Sequence, residues 1–331
     1  MIISRTPLRI SFFGGGTDYP VWYKKNKGSV ISTSINKYIY VTCRYLPRFF
    51  DYNYRIRYTE QEHVKHVSKI KHPSVRECLK YLKFKEGLEM QHNADIPAMS
   101  GMGSSSAFTV GLLNALYGLR GTMIDKRMLA LEAIHVEQNL IKENVGAQDQ
   151  TVAAYGGLNR IDFGGERIIN VTTLSINQER INMLEGNLLM FYTGISRNAS
   201  EIAKSQIKAT RKKTVDLNKM LDLVDEAYKV LTKERTNLDD FGTLLDESWK
   251  IKRTLTDKIS NGTIDEIYDN AIKAGAIGGK LLGAGSGGCM VFYVRKNRQE
   301  RVKRKLKSLL YIPIKFENFG SQIIYKMPND F

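Results

Sequence analysis

Apolar and polar residues alternate along Leu8-Arg9-Ile10-Ser11-Phe12, the period of a strand with one buried face. That run ends on Gly14-Gly15-Gly16-Thr17-Asp18, where glycine permits the positive φ of a tight turn. β-Branched and aromatic residues dominate 30–35, 38–44 and 54–58, which predicts further strands, antiparallel, in a strand-rich stretch over residues 1–100. The period then changes. The apolar, small-residue tract 104–116 predicts a buried helix. Leu129, Ala133, Val136 and Leu140 fall on one helical face, predicting a helix over 125–141 with Asp125 as its N-cap. A third helix is expected just after Gly146.

Beyond Gly164-Gly165 the composition shifts, with strands expected at 168–174 and 187–192 and a second unit starting near residue 180. This divides the chain into 1–180 and 181–331. The tract 198–260 is rich in Lys, Leu, Asp and Glu, lacks proline, and predicts two or three amphipathic helices. After it come a helix over 265–282, a loop over 283–288 and a strand over 289–294. No repeat or low-complexity tract occurs. Without regular strand-helix alternation the class is α+β in two parts, not a doubly wound parallel sheet.

The chain has 331 residues, 42% of them apolar and 25% charged, so it can bury a substantial core and is neither disordered nor collagenous. Its longest uncharged apolar stretch, 281–294, is short and broken by glycines, which excludes a spanning helix on length. The first residues lack the basic and apolar regions of a secretory signal, so a cytoplasmic protein is expected. Cys43, Cys78 and Cys289 are an odd number at wide spacing, which predicts reduced thiols. The net charge of +16 admits nucleic acid, an anionic membrane or a phosphorylated small molecule as its cause, and does not choose. The basic runs 65–71, 208–213 and 295–307 read as solvated faces, as do His63, His66 and His72, although three histidines invite a metal.

Three glycine-rich loops carry the chemistry. The segment 95–107 ends in Ser100-Gly101-Met102-Gly103-Ser104-Ser105-Ser106 and opens into a helix, an arrangement that suits an anion: free amides and the helix dipole favour phosphate, and serine hydroxyls can reach a metal bound to it. A hydrolase nucleophile elbow fails on chain order, since only His135 follows the serines and Asp125 lies too near it. The loop Gly283-Ala284-Gly285-Ser286-Gly287-Gly288 formally satisfies G-x-G-x-x-G. It fails as a dinucleotide fingerprint, because a strand and not a helix follows, and as a P-loop, because Cys289-Met290 replaces Lys-Ser/Thr. It remains a tight loop pressed against another element or a ligand. In the third loop, Asp18 can accept hydrogen bonds from vicinal sugar hydroxyls beyond the glycine turn.

Taken together, the segment from Pro7 to Pro20, the loop from Met102 to Ala107, Gly146-Ala147-Gln148-Asp149-Gln150 and the segment from Lys280 to Gly288 resemble, in order and spacing, the GHMP small-molecule kinases. The first segment is most similar to the heptose 7-phosphate kinase branch of that family. The resemblance implies an N-terminal domain like ribosomal protein S5 domain 2 and a ferredoxin-like C-terminal domain, with ATP and a sugar between them. It implies that Ser100, Gly101, Met102, Gly103, Ser104, Ser105 and Ser106 cradle ATP, that Ser105 and Glu137 hold Mg2+, and that Asp149 and Arg9 are catalytic. Gly15, Gly16, Thr17 and Asp18 would bind the sugar, with Gly283, Gly285 and Ser286 closing the site. As Asp149 would open a helix, whose dipole favours its charged form, it is expected to orient the acceptor hydroxyl more than to deprotonate it.

The implied activity is ATP-dependent phosphorylation of the anomeric C1 hydroxyl of D-glycero-D-manno-heptose 7-phosphate. The alternatives are a fucokinase- or galactokinase-like enzyme of an unphosphorylated sugar, a non-catalytic sugar and ATP sensor, and a basic nucleic-acid-binding protein. The expected partners are the sugar phosphate and ATP, not nucleic acid or membrane, with a homo-oligomer left open. Lys37, Arg44, Arg48, Arg55, Arg57 and Arg197 are all available to a distal phosphate.

Overall fold

The fold is seen in a computed structural model, which describes residues 1–164, 169–195 and 199–327. Gly165, Ile168, Arg197 and Asn198, which figure in the expectations above, lie outside the described residues. The chain begins with β1 (Ile2–Phe13), passes the glycine turn and the single turn α1 (Pro20–Tyr23), and returns antiparallel as β2 (Gly28–Tyr45). The segments 30–35 and 38–44, expected as two strands, are the halves of β2. A register shift opposite Pro7 and Leu8, which pair with Tyr38 and Ile35, absorbs Asn36 and Lys37 as a bulge without ending the strand.

β3 (Tyr54–Arg57) and β4 (Gln61–Val64) form a hairpin, and the chain then crosses through α2 (Pro73–Tyr81) to β5 (Leu88–Ala94). That crossover returns β5 in the direction of β3, so this pair is parallel, contrary to the antiparallel expectation. α3 (Ser104–Leu119) packs on β1 and β2 and is buried along most of its length, as its apolar and small residues beyond the first turn allow. Asp125 caps α4 (Lys126–His135), its side chain accepting the Met128 amide at 2.9 Å. The expected continuation to residue 141 is a π-helical turn over Val136–Ile141. α5 (Gln148–Tyr155) follows, then β6 (Leu158–Phe163), on the first half of β2, and β7 (Ile169–Thr173).

The second half is built on a four-stranded antiparallel sheet. α6 (Gln178–Gly186) leads into β8 (Leu188–Tyr192), and the amphipathic tract forms α7 (Ala199–Ala209), α8 (Thr214–Thr232) and α9 (Asp239–Thr254). α10 (Gly262–Ala274) ends at Gly275, which takes φ 117°, a conformation other residues resist. The chain then forms β9 (Gly278–Leu281), so the helix expected to run to residue 282 is corrected to a helix and a strand, and the glycine loop becomes the turn of a hairpin with β10 (Cys289–Tyr293). With α11 (Gln299–Lys305) and β11 (Leu310–Ile312) the order is β11-β8-β10-β9, the ferredoxin-like arrangement. β12 (Phe316–Glu317) and β13 (Gln322–Lys326) return to the first sheet, on β2 and β1. A division at residue 180, which we keep as a proposal, therefore puts these two strands with the second half although they pair in the first.

The halves share a core. Phe12 and Phe13 of β1 meet Phe241 of α9 edge-on, with ring centres 5.2 and 5.1 Å apart. α8 packs on both β1 and β2, and α9 bridges from α8 to β9 and β10. The three cysteines are free and buried, and burial pushes the Cys43 and Cys289 thiols up to about 12. Among the described residues no helix is long and apolar enough to cross a membrane.

Candidate active site

Arg9 enters the space between the halves from β1. Its Nε and Nη2 donate to the two carboxylate oxygens of Asp149, each at 2.8 Å, and its Nη1 donates to the Gly101 carbonyl at 2.7 Å. The planar guanidinium fork matches a carboxylate, so the pair fixes both side chains. Asp149 lies in the first turn of α5, as expected, and its side chain keeps 28% of its exposure against 5% for Arg9. Ser11 Oγ donates to Gln148 Oε1 at 2.8 Å, and Gln148 Nε2 donates to Asp149 at 3.2 Å, bracing the carboxylate from its other side.

The serine-rich loop comes to the same place. The Arg9 amide donates to the Met102 carbonyl at 3.2 Å, tying the loop to β1. Gly103, at φ 73°, is the N-cap of α3, and a Cβ there would stand 3.3 Å from Asp149 Oδ2 and 3.4 Å from Arg9 Cγ. Only glycine brings backbone this close in this conformation. No side chain caps α3, so the amides of its first turn stay open to an anion. Gly101, Gly103, Ser104, Ser105 and Ser106 line a cleft of about 560 Å³ together with Arg9 and Asp149. Ser100 and Met102 are fully buried beneath it, and the Ser100 carbonyl accepts the Cys289 amide at 2.8 Å, joining the loop to β10.

Of the glycine turn 14–18, Gly15, Gly16 and Asp18 line the cleft. Asp18 accepts the Gly16 amide at 3.0 Å and the Gln148 amide at 3.4 Å, so it also anchors the start of α5. Burial pushes its carboxyl up, the Gly16 amide partly offsets this, and the charge of Asp149 adds to the rise. Thr17 lies behind the loop, fully buried, its hydroxyl within hydrogen-bond distance of the Gly14 and Ser29 carbonyls. Gly283 reaches the cleft wall. Gly285 and Ser286 instead press on the end of the α9–α10 connection, where the Ser286 amide donates to the Ile259 carbonyl at 2.7 Å.

Glu137 is fully buried in the π-helical turn behind Ser106, which donates to its Oε2 at 2.8 Å; Gln150 Nε2 donates to the same oxygen. Ser105, the expected companion of Glu137, is one position earlier on α3 and faces solvent, because successive helical side chains diverge by about 100°. Burial raises the Glu137 carboxyl to about 7 despite its hydrogen bonds, and its Oε1 has no partner. An orphaned carboxylate oxygen behind hydroxyls that line the cleft is a donor set suited to Mg2+. Among the described residues no cluster of three or more His, Cys, Asp and Glu side chains could hold a metal alone. His63 stacks on Tyr52 with ring centres 4.4 Å apart, whereas His72, expected on the same solvated face, is in the cleft wall.

Sequence reasoning missed Lys252, and quoted Lys280 without giving it a role; both line the cleft. The signal for Lys252 was present: it continues the buried stripe Phe241, Leu245 and Trp249 of α9, so a lysine holds a core position. Arg197 lies outside the described residues, and the other basic residues held available for a phosphate do not line the cleft. Arg44, Arg55 and Arg57 converge on Glu89, Arg48 is exposed, and neither it nor Lys37 lines the cleft.

Residues 69–157 match the GHMP kinases N terminal domain and residues 227–312 match the GHMP kinases C terminal domain. The chain is 29% identical over 318 residues to the D-glycero-alpha-D-manno-heptose 7-phosphate kinase of Campylobacter jejuni, covering 92% of this chain and 93% of that one. It is 27% identical to the mevalonate kinase of Pyrococcus horikoshii over 69% of this chain and 65% of that one. A solved D-glycero-D-manno-heptose 1-phosphate kinase from Bacteroides thetaiotaomicron superimposes with a TM-score of 0.74 at 21% identity, over 99% of this chain and 100% of that one, which speaks to fold. The two matched domains, in this order along one chain that folds around the cleft, place the protein in the GHMP kinase family.

Proposed function

We propose that this kinase transfers the terminal phosphoryl group of ATP to the anomeric C1 hydroxyl of D-glycero-D-manno-heptose 7-phosphate, giving the 1,7-bisphosphate. The observation that carries the reading is the meeting of the open N-terminus of α3, the Arg9–Asp149 pair and Asp18 in one cleft. The choice of acceptor is supported by the Campylobacter jejuni relative, which spans nearly the full length of both chains.

Phosphoryl transfer needs in-line positioning and charge neutralisation more than covalent help. The first-turn amides of α3 and the hydroxyls of Ser104 and Ser105 hold the triphosphate. Asp18 accepts sugar hydroxyls on the opposite side, and Asp149 accepts the hydrogen bond of the C1 hydroxyl. The C1 oxygen forms its bond to the terminal phosphorus as the bond to the bridging oxygen breaks and ADP departs. The hydroxyl proton passes to Asp149 and then to solvent. With both Asp149 oxygens engaged by Arg9, its main contribution is orientation, and an anomeric hydroxyl, more acidic than an ordinary alcohol, asks little more of it. Arg9 adds a fixed positive charge beside the developing oxyanions. Mg2+ would neutralise phosphate charge, with oxygen ligands from the serine hydroxyls lining the cleft and from Glu137 behind Ser106.

A coupled ADP-release assay over a panel of sugars and sugar phosphates, followed by phosphorus NMR of the product, tests the reading. The expected result is turnover on the heptose 7-phosphate with the new phosphate on C1, and a fall of roughly 100-fold or more in kcat for Asp149→Asn. Faster turnover on an unphosphorylated sugar would instead make it a kinase of the fucokinase or galactokinase kind, and no turnover with any acceptor refutes the enzymatic reading.

A further inference from the structure

Two buried lysines stand on the acceptor side of the cleft. Lys252, in the last turn of α9, is 5% exposed; its Nζ donates to the Gly283 carbonyl at 2.6 Å and lies 4.0 Å from where a Cβ on Gly15 would be. It therefore spans the glycine loops 14–18 and 283–288. Lys280, on β9, is 1% exposed and donates to the Phe12 carbonyl at 2.7 Å. Burial holds the Lys280 ammonium well below its usual range, and the neighbouring charges that depress it further, Lys252 and Arg9, are both positive.

Three cations thus share the cleft lining, Arg9 at Asp149, Lys280 and Lys252, with Lys280 under the charge of the other two. Removing ammonium groups from water is costly and setting them beside like charge adds to the cost. An uncharged sugar would offset none of it, whereas a phosphate dianion would offset much, since an ammonium binds phosphate as a compact point charge. The transferred phosphate is not the best candidate for that anion. Its loop abuts Arg9 and Asp149 at Gly103, whereas Lys252 is at Gly15 and Gly283.

We propose that Lys252, backed by Lys280, is the specificity-determining contact for a phosphate carried by the acceptor at the end remote from the reacting hydroxyl. This deepens the sugar-phosphate reading above and rests on it.

The test compares kcat/KM for heptose 7-phosphate and for the same heptose without its phosphate, in wild type, Lys252→Met and Lys252→Arg. Loss of one charge-assisted contact predicts that the preference of wild type for the phosphorylated acceptor shrinks roughly 10- to 100-fold in Lys252→Met, through KM for the acceptor and not KM for ATP, with partial recovery in Lys252→Arg. In wild type, inorganic phosphate is expected to compete with the sugar phosphate and not with ATP, a measurement that needs no variant. A wild type without preference for the phosphorylated acceptor overturns the proposed function and this inference with it. A preference that survives in Lys252→Met, or phosphate that competes with ATP alone, overturns this inference and leaves the function standing.

Discussion

His72 lies against Phe108 with ring centres 4.9 Å apart and meets Tyr58 edge-on at 4.8 Å, inside the wall of the cleft. Its Nδ1 is buried without a hydrogen-bond partner. Burial, helped by the neighbouring charge of His92, pushes its imidazole down to about 4 from an ordinary 6.5. A base whose proton affinity falls on folding costs stability in acid. Between pH 6.5 and 4 the unfolded chain binds a proton that the folded chain refuses, so acidification through that window withdraws up to about 3 kcal/mol, and stability is restored above it. Urea unfolding at pH 7 and pH 4.5 is expected to show a larger loss for wild type than for His72→Gln. Equal losses would assign the acid sensitivity to other groups. Nothing in the sequence around His72 announced this role. In a basic segment with two other histidines it read as a solvated residue, and only the return of β5 and α3 around it makes the environment apolar.

The elements most legible from sequence are those whose local chemistry and final packing agree. Asp125 caps α4 as read, and α3 begins on its serines as read. Elements set by distant partners were not legible. β2 reads as two strands until β1 pairs across its bulge, and β9 hides behind two glycines, Gly278 packed against α9 and Gly279 against Phe292 of β10. The Arg9–Asp149 pair was legible only as two residues with implied roles; what the sequence did not contain was Gly103 wedged against both. That contact makes the loop–α3 junction the element on which the proposed transfer depends. Gly103→Ala forces a left-handed alanine, at a cost of about 1 kcal/mol. It also puts a methyl group in contact with Arg9 and Asp149, where shifts of a few tenths of an ångström misalign the in-line geometry. The expected outcome is a loss in kcat of roughly 100-fold with a Tm lowered by only a few degrees. Activity within threefold of wild type would show that the junction tolerates movement.

At the scale of the whole molecule the two sheets are not independent bodies. The Cys289 amide on the Ser100 carbonyl ties the second sheet to the serine-rich loop, and Phe241 fills the space beside Phe12 and Phe13. The C-terminal return is a second seam. Ser321 shares a hydrogen bond of 2.8 Å with Thr6, accepts one of 3.0 Å from Asn114, and donates its amide to the Ala153 carbonyl at 2.8 Å, joining β1, α3 and α5 at once. The Gly157 amide donates to the Glu317 carbonyl at 2.9 Å, and β13 covers an edge of β1. None of these residues lines the cleft. A chain ending at residue 312 therefore keeps every cleft residue and loses the seam. Several hydrogen bonds at roughly 1 kcal/mol net each, with the uncovered edge of β1, amount to a loss on the order of 5 kcal/mol, which for a chain of this size lowers Tm by roughly 10 °C. Because the cleft is walled by elements that the seam clamps, activity should disappear in the same temperature range as secondary structure. Circular dichroism melts run beside kinase assays on both chains decide this. A shortened chain that melts within about 3 °C of the full one would show that the two halves hold the cleft without the C-terminal return, and that the stabilising contacts lie in the shared core alone.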